Sequence, residues 1–224
     1  MRLSVDLVIF TIIKESLNIL LIKRGGEPFK GSHALPGGGV HEDEGIEAAA
    51  RRELEEETGL KNVFLEQLFT FGEDPKRDPR NRVVSIAYYS LVSHETKPKA
   101  GDDAADAFWL PVSELSKIKL AFDHDQIIKT ALERLLGKIV YAPIAHELLP
   151  REFTLTALKK TYETILGKTL DKGNFFNYVK KRGLVVSVDK KAESEGGRPA
   201  ALYRFNKRVK DISDFMSHFR SAIC

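Results

Sequence analysis

The 224-residue sequence predicts an α/β domain followed by a smaller domain built as helix, turn, helix and hairpin. Three observations carry this expectation. Over residues 1–140, apolar strand-like runs alternate with glycine-punctuated loops around one Ala/Glu/Arg-rich helical segment. Residues 141–224 change rhythm to two short amphipathic segments, each with a cap residue in front and a glycine behind. The charge also changes sign, with 19 Lys and Arg against 23 Asp and Glu in residues 1–140, net −4, and 16 against 9 in residues 141–224, net +7. An acidic larger part joined to a basic tail brings nucleic-acid contact by the tail into consideration, beside the plainer reading of a solvated basic surface.

Composition narrows the class. At 42% hydrophobic and 30% charged, with 16 Gly and 9 Pro, the chain fits a soluble globular protein and not a collagen-like, low-complexity or disordered one. The single cysteine, Cys224, excludes an intrachain disulfide and a Cys-rich metal site, which suggests a reducing cytoplasmic setting. The first apolar run, Leu3 to Ile13, is broken by Asp6 and lacks the flanks of a signal peptide. No run approaches the roughly 20 apolar residues of a membrane helix.

Taken in order, Ser4 to Ile13 and Leu17 to Lys23 are strands separated by Lys14-Glu15-Ser16. A stretch rich in breakers follows, through Gly25-Gly26, Pro28, Gly31 and Pro36-Gly37-Gly38-Gly39. Glu44 to Thr58 has helical composition, with Gly59 as its C-cap and a buried stripe at Ile46, Ala50 and Leu54. Strand character returns at Val63 to Phe71, Arg82 to Ser93 and Phe108 to Leu110, with a polar loop over Gly72 to Asn81. Asp123 to Leu136 shows helical apolar spacing, and Gly137 is the expected stop. In the tail, Thr154 starts a helix that Gly167 ends, with Leu155, Leu158, Tyr162 and Leu166 on one face; Asp171 starts a second that Gly183 ends. Leu184 to Val188 and Ala201 to Phe205 then flank a Lys/Glu/Gly-rich tip, Asp189 to Pro199. The boundary is placed near Gly137 to Pro143, for domains of 1–138 and 139–224.

The helix from Glu44 carries chemistry. Glu53, Glu56 and Glu57 stand at i, i+3 and i+4, so three carboxylates crowd one face, with Arg52 four residues before Glu56. Like charges at that spacing destabilise a helix by roughly 0.2 to 0.5 kcal/mol per pair. A divalent cation would reverse the sign, since Mg²⁺ takes hard carboxylate oxygens and bridges to phosphates. The preceding Gly37-Gly38-Gly39 lets backbone approach a ligand closely.

The spacing is Gly38, five residues, Glu44, seven residues, Arg52-Glu53-Leu54, one residue, Glu56-Glu57, one residue, Gly59-Leu60. At average residue usage these nine constrained positions would arise by chance with a probability on the order of 10⁻⁷, so a merely acidic helix face is a poor explanation. They form the complete box of the Nudix hydrolase superfamily, which residues 3 to 137 resemble throughout, Leu35-Pro36-Gly37-Gly38 and Trp109-Leu110-Pro111 included. The resemblance implies a mixed-sheet α/β/α sandwich that hydrolyses a nucleoside diphosphate linked to another group. It implies that Glu53, Glu56 and Glu57 hold Mg²⁺ or Mn²⁺, that Arg52 orients the carboxylates and that Glu44 completes the site. The general base is left open between these glutamates and a loop carboxylate such as Glu73 or Asp74. The stretch from Pro75 to Ser85, fifteen residues beyond Leu60, resembles the ADP-ribose pyrophosphatase branch. Arg77, Arg80 and Arg82 suit phosphate contact because guanidinium offers paired donors, unless they form a plain basic loop. His124 also resembles that branch, against the simpler reading of a helix cap.

The tail, residues 141 to 206, resembles a winged helix with Asp171 to Arg182 as recognition helix and Asp189 to Pro199 as wing. Lys172, Asn174, Asn177, Lys180 and Lys181 would face DNA while Phe175, Phe176 and Val179 pack inward. Lys190, Lys191 and Arg198 would reach phosphates or the minor groove, unless the winged helix serves protein contact. Both parts together resemble the Nudix-related transcriptional regulators of NAD or sugar metabolism, on strings such as Leu170-Asp171-Lys172-Gly173-Asn174-Phe175 and Arg198-Pro199-Ala200. The resemblance implies a homodimeric regulator that binds an operator duplex and senses ADP-ribose or a related phosphorylated sugar. Because the box is intact, a metabolic enzyme cleaving ADP-ribose to AMP and ribose 5-phosphate stands as the alternative.

Overall fold

In the computed structural model, residues 1–96, 107–192 and 199–215 are described. The chain separates into two compact units, Met1–Val92 with Thr96–Arg134, and Ser93–Glu95 with Leu135–Cys224. The expectation for Arg198 lies outside the described residues.

The first unit is built on β1 (Arg2–Ile13), whose residues Val5 to Phe10 alternate between two faces and are all buried, so both sides of the sheet are covered here. It pairs antiparallel with β2 (Ser16–Lys23) and parallel with β6 (Val83–Leu91), which makes the sheet mixed. Lys14 and Glu15 take positive φ at the tip of the β1–β2 hairpin. β5 (Phe64–Phe71) extends the sheet beside β6, and β7 (Ala107–Pro111) pairs with β2. Two strands come from the stretch expected to be only loop: β3 (His33–Ala34) against β2, and β4 (Gly37–Gly39) against Ser4, Val5 and Asp6 of β1. A glycine run has poor strand propensity, and the β1 ladder imposes the conformation.

α1 (Ile46–Thr58) ends where Gly59, at φ 69°, donates its N–H to the Glu55 carbonyl. Ala49, Ala50 and Leu54 pack it on Val5, Leu7, Ile9, Leu20 and Tyr88. Ile46, placed in the buried stripe from its spacing, is 38% exposed instead; it opens the helix and lies beyond the sheet contact, and Ala49 takes the buried position. α2 (His124–Lys138) buries Ile127, Ile128, Ala131 and Leu135 as its periodicity predicts. Gly137 does not stop it, for the helix continues through Lys138; a lone helical glycine costs only about 1 kcal/mol.

In the second unit, α3 (Leu155–Leu166) starts where the Thr154 hydroxyl accepts from the Ala157 N–H, and Gly167 closes it in the left-handed region. α4 (Lys172–Lys181) starts where the Asp171 carboxylate accepts from the Asn174 N–H. β8 (Val185–Lys191) and β9 (Ala201–Phe205) form an antiparallel hairpin, with Phe153 bridging to Tyr203 as a third edge. This is a winged helix. Its core joins Leu155, Leu158, Tyr162, Phe175 and Val179 to Phe215, whose ring stacks on Tyr162 with centroids 4.6 Å apart. Leu166, expected on that face, is only half-buried, and Ile165 is buried in its place.

Candidate functional site

The acidic site grows from the packing of α1 on β1 and β4. Ala49, Ala50, Glu53 and Leu54 are buried together, so the packing that seats α1 on the sheet also brings the Glu53 carboxylate against the glycine strand. A Cβ on Gly38 would lie 2.1 Å from Glu53 Oε1, and one on Gly37 would lie 2.2 Å from the Val5 carbonyl oxygen. Glycine at these two positions is what lets β4 slide between β1 and the Glu53 carboxylate.

Arg52 organises the carboxylates around it. It donates through Nη1 to Glu53 at 2.7 Å and Glu56 at 2.9 Å, through Nε and Nη2 to Glu44 at 3.1 and 2.7 Å, and through Nη2 to the Gly39 carbonyl at 2.9 Å. Those hydrogen bonds hold the Glu44 carboxyl down to about 2. Burial pushes the Glu53 carboxyl up. Glu57, one turn on from Glu53, accepts from the Gly37 N–H at 2.7 Å; burial, with Glu53 and Asp6 nearby, pushes its carboxyl up to about 7. The five residues expected to form the acidic site are thus gathered in one place. Of the three glutamates expected to share a cation, Glu53 and Glu56 accept from Arg52, and Glu57 accepts from backbone. Among the described residues no three His, Cys, Asp or Glu side chains form a metal cage.

Beside the acidic helix lies a cleft of about 270 Å³ lined by Asp6, Gly37 to Gly39, Arg24, Arg77, Arg80, Phe122 and His124, among others. Its floor is a buried ionic network. Arg77 is 8% exposed, donates to both oxygens of Asp123 at 2.8 and 2.6 Å, and lies 3.5 Å from Asp6. The sequence reading made Arg77 a free phosphate contact, whereas here its fork is already taken by a carboxylate. Arg80 is likewise held by Asp78 at 3.0 and 2.7 Å. Arg82 is exposed and lies outside the cleft lining, as do Glu73 and Asp74. His124 is a network member beyond a helix cap: its Nδ1 accepts from the Leu35 N–H at 2.9 Å and its Nε2 lies 3.4 Å from Asp6. Burial alone would raise the Asp6 carboxyl, but His124, Ser85 and Arg77 together hold it below the ordinary range. Asp6, Arg24 and Phe122 escaped the sequence reading. The aspartate interrupting the apolar run Leu3 to Ile13 was the one visible signal, and it pointed to Asp6 alone.

The second unit presents the opposite surface. Lys172, Asn174, Asn177, Lys180 and Lys181 are all exposed on α4, and Lys190 and Lys191 are exposed on β8. Phe175 and Val179 are buried; Phe176 is only half-buried, with the Lys172 ammonium over its ring at 5.7 Å. Lys190 Nζ lies 3.6 Å from Glu152.

Fold and site define a Nudix-type cleft joined to a winged helix, and comparison with known proteins agrees. The NUDIX domain model matches residues 2–131, and the NrtR DNA-binding winged helix domain model matches residues 145–205. The chain belongs to the Nudix family, in the group that carries the NrtR winged helix. It is 37% identical over 213 residues to the ADPR responsive transcriptional repressor NtrR of Acinetobacter baylyi, covering 94% of this chain and 84% of that protein. The crystal structure of Shewanella oneidensis NrtR complexed with a 27mer DNA superposes with a TM-score of 0.82 at 34% identity, over 96% of this chain and 95% of that one. The Nudix domain of the same NrtR, crystallised with ADP ribose, matches with a TM-score of 0.57 at 37% identity, over 60% of this chain and 88% of that one.

Proposed function

We propose that the chain is a transcriptional repressor whose Nudix domain, residues 1–138, binds ADP-ribose or a related phosphorylated sugar, and whose winged helix, residues 139–224, binds operator DNA. The observation that carries this reading is the near end-to-end match, through both domains, to a repressor described as ADPR responsive. The exposed Lys and Asn side chains of α4 supply what a recognition helix needs: amides for base edges and ammonium groups for phosphates. A homodimer fits the function, because two recognition helices roughly 34 Å apart would read successive major grooves. The effector can shift DNA affinity only through unequal binding to the DNA-competent and incompetent forms. The test is fluorescence anisotropy on a duplex from upstream of the protein's own gene. Tight binding that changes at least fivefold when ADP-ribose is added supports the proposal, and binding indifferent to ADP-ribose sinks it.

A second reading, hydrolysis, is favoured by the completeness of the acidic set. Glu53, Glu56 and Glu57 would hold Mg²⁺ or Mn²⁺: they are hard donors on neighbouring helical turns, and a cation would favour the ionised form of Glu57 that burial and the nearby Glu53 and Asp6 disfavour. Such an ion supplies charge neutralisation at phosphoryl oxygens and a more acidic bound water. Arg52 would hold Glu44 ionised and steady the carboxylates. AMP release from ADP-ribose that needs metal and falls by two orders of magnitude or more, roughly, in Glu56→Gln is expected if chemistry is retained; a wild-type protein inert with both metals removes this reading and leaves the regulator intact.

A further inference from the structure

Two pieces of chain lie outside both family-matched spans, the turn that follows α2 and the residues after β9, and they bond to each other. The Ile212 N–H donates to the Tyr141 carbonyl at 2.8 Å, and the Tyr141 N–H donates to the carbonyl of Lys138, the last residue of α2, at 3.1 Å. Local chemistry shapes residues 206–215 into a strap. Asn206 donates its N–H to the Leu184 carbonyl and its side-chain amide to the Gly183 carbonyl, both at 2.8 Å, which brings the chain back beside the end of α4. The Asp211 carboxylate accepts from the Ser213 N–H at 2.8 Å and from its hydroxyl at 3.1 Å, and the Phe215 N–H closes on the Ile212 carbonyl at 2.8 Å. That turn buries Ile212 and Phe215 completely and leaves Asp214 between them half-exposed. The Phe215 ring, stacked on Tyr162 of α3, also meets Tyr178 and Phe175 on the buried face of α4, with centroids 5.4 and 6.4 Å away. A ten-residue helix does not hold itself in water, so α4 is placed by what this face rests on. Asp214 ties the end of the same helix. It accepts from the Tyr178 hydroxyl at 2.8 Å and from Arg182 through Nε at 3.2 Å and Nη2 at 2.5 Å, and Arg182 first, then Tyr178, hold its carboxyl below the ordinary range. The exposed ion pair contributes little by itself. The bond from Tyr178, only 3% exposed, weighs more, because losing an acceptor costs a buried hydroxyl more than it costs an exposed charge.

We propose that Asp214 is a positioning residue for DNA recognition: acting through Tyr178 and Arg182, and seated by Ile212 and Phe215, it fixes where α4 lies relative to the turn after α2. This rests on the DNA-binding reading above and deepens it. Asp214 is an anion that phosphates repel, so its effect on DNA comes through the helix it holds and not through contact. The side of α4 that carries Lys172, Asn174, Asn177, Lys180 and Lys181 is exposed, and the strap grips the side away from it, at Phe175 and Tyr178. The two kinds of DNA contact differ in what they tolerate. Flexible lysines follow phosphates through small displacements of the helix, whereas amides on base edges need it held in one place. Loosening the strap therefore costs discrimination between sequences more than it costs affinity for DNA in general.

Fluorescence anisotropy of the full chain on the duplex from upstream of its own gene, and on a scrambled duplex of equal length at the same salt, tests this. Tyr178→Phe, which keeps the ring and removes the hydroxyl, and Asp214→Ala should each lower the ratio of operator to scrambled affinity roughly three- to tenfold. Affinity for the scrambled duplex should hold in Tyr178→Phe and rise slightly in Asp214→Ala, where Arg182 is released. Asp214→Asn, which keeps an acceptor and drops the charge, should fall between wild type and Asp214→Ala. If Asp214→Ala loses its thermal transition, Tyr178→Phe decides. Ratios equal to that of wild type overturn the proposal, as does an equal loss of affinity for both duplexes, which marks a merely structural part. If wild type shows no preference for the operator, the DNA reading fails by itself, and hydrogen exchange decides Asp214. Faster exchange confined to α4 in the variants supports the assignment; exchange equal to that of wild type, or raised throughout the winged helix, ends it.

Discussion

The cleft arginines of the Nudix domain and the lysines of α4 have opposite fates. In the Nudix domain, Arg52, Arg77 and Arg80 each end on carboxylates, and Arg77 is taken almost wholly out of water. In the winged helix, Lys172, Lys180 and Lys181 stand in solvent on α4. The reason lies in what each domain must hold. A cleft that positions acidic groups against one another needs fixed counter-charges, and a buried pair whose geometry satisfies both partners persists because breaking it strands a charge. A surface that meets a polyanion gains from ammonium groups still carrying exchangeable solvent and free to follow phosphates. The sequence already gives the tail the denser cation count, but only burial shows which cations are held by carboxylates and which face solvent.

The comparison breaks at its strongest point if Arg77 proves dispensable. Arg77→Ala leaves Asp6 and Asp123 without their shared partner and should lower unfolding free energy by about 3 to 5 kcal/mol, read from denaturant midpoints; a loss near zero would mean the network is hydrated and the contrast between domains is false. On the other side, Lys180→Gln with Lys181→Gln should leave folding stability nearly unchanged. It should reduce the slope of log affinity against log salt by roughly 0.9 for each phosphate contact removed. A salt slope equal to that of wild type would place DNA elsewhere on the tail. The smallest effect sharpens the picture of how α4 is presented: Asp171→Ala removes the carboxylate that accepts from the Asn174 N–H and should cost about 1 kcal/mol, measured by thermal melting.

Much of this architecture is local and therefore readable. The β1–β2 hairpin, α1 with its Gly59 stop, and the caps Thr154 and Asp171 follow from apolar period, cap chemistry and left-handed glycine, all within a few residues of sequence. The same locality misled at Gly137 and at Gly37 to Gly39. A glycine permits a break without compelling one, so α2 runs on, and the glycine run becomes a strand because β1 offers it a ladder.

The acidic set was legible because its members sit on one helix and the turn before it, where spacing alone fixes proximity. The composition of that set, the basic face of α4 and the two-domain plan were determined by sequence. Only tertiary structure decided which charges are spent and which remain available. Asp6, Arg77, Asp123 and His124 come from three separate stretches of chain, and whether an arginine meets phosphate or aspartate depends on who lies across the cleft. Pairing between residues distant in sequence is set by how the sheet and helices pack, and it is the desolvation accompanying that packing which turns a row of charged letters into either a scaffold or a hand held out to a ligand.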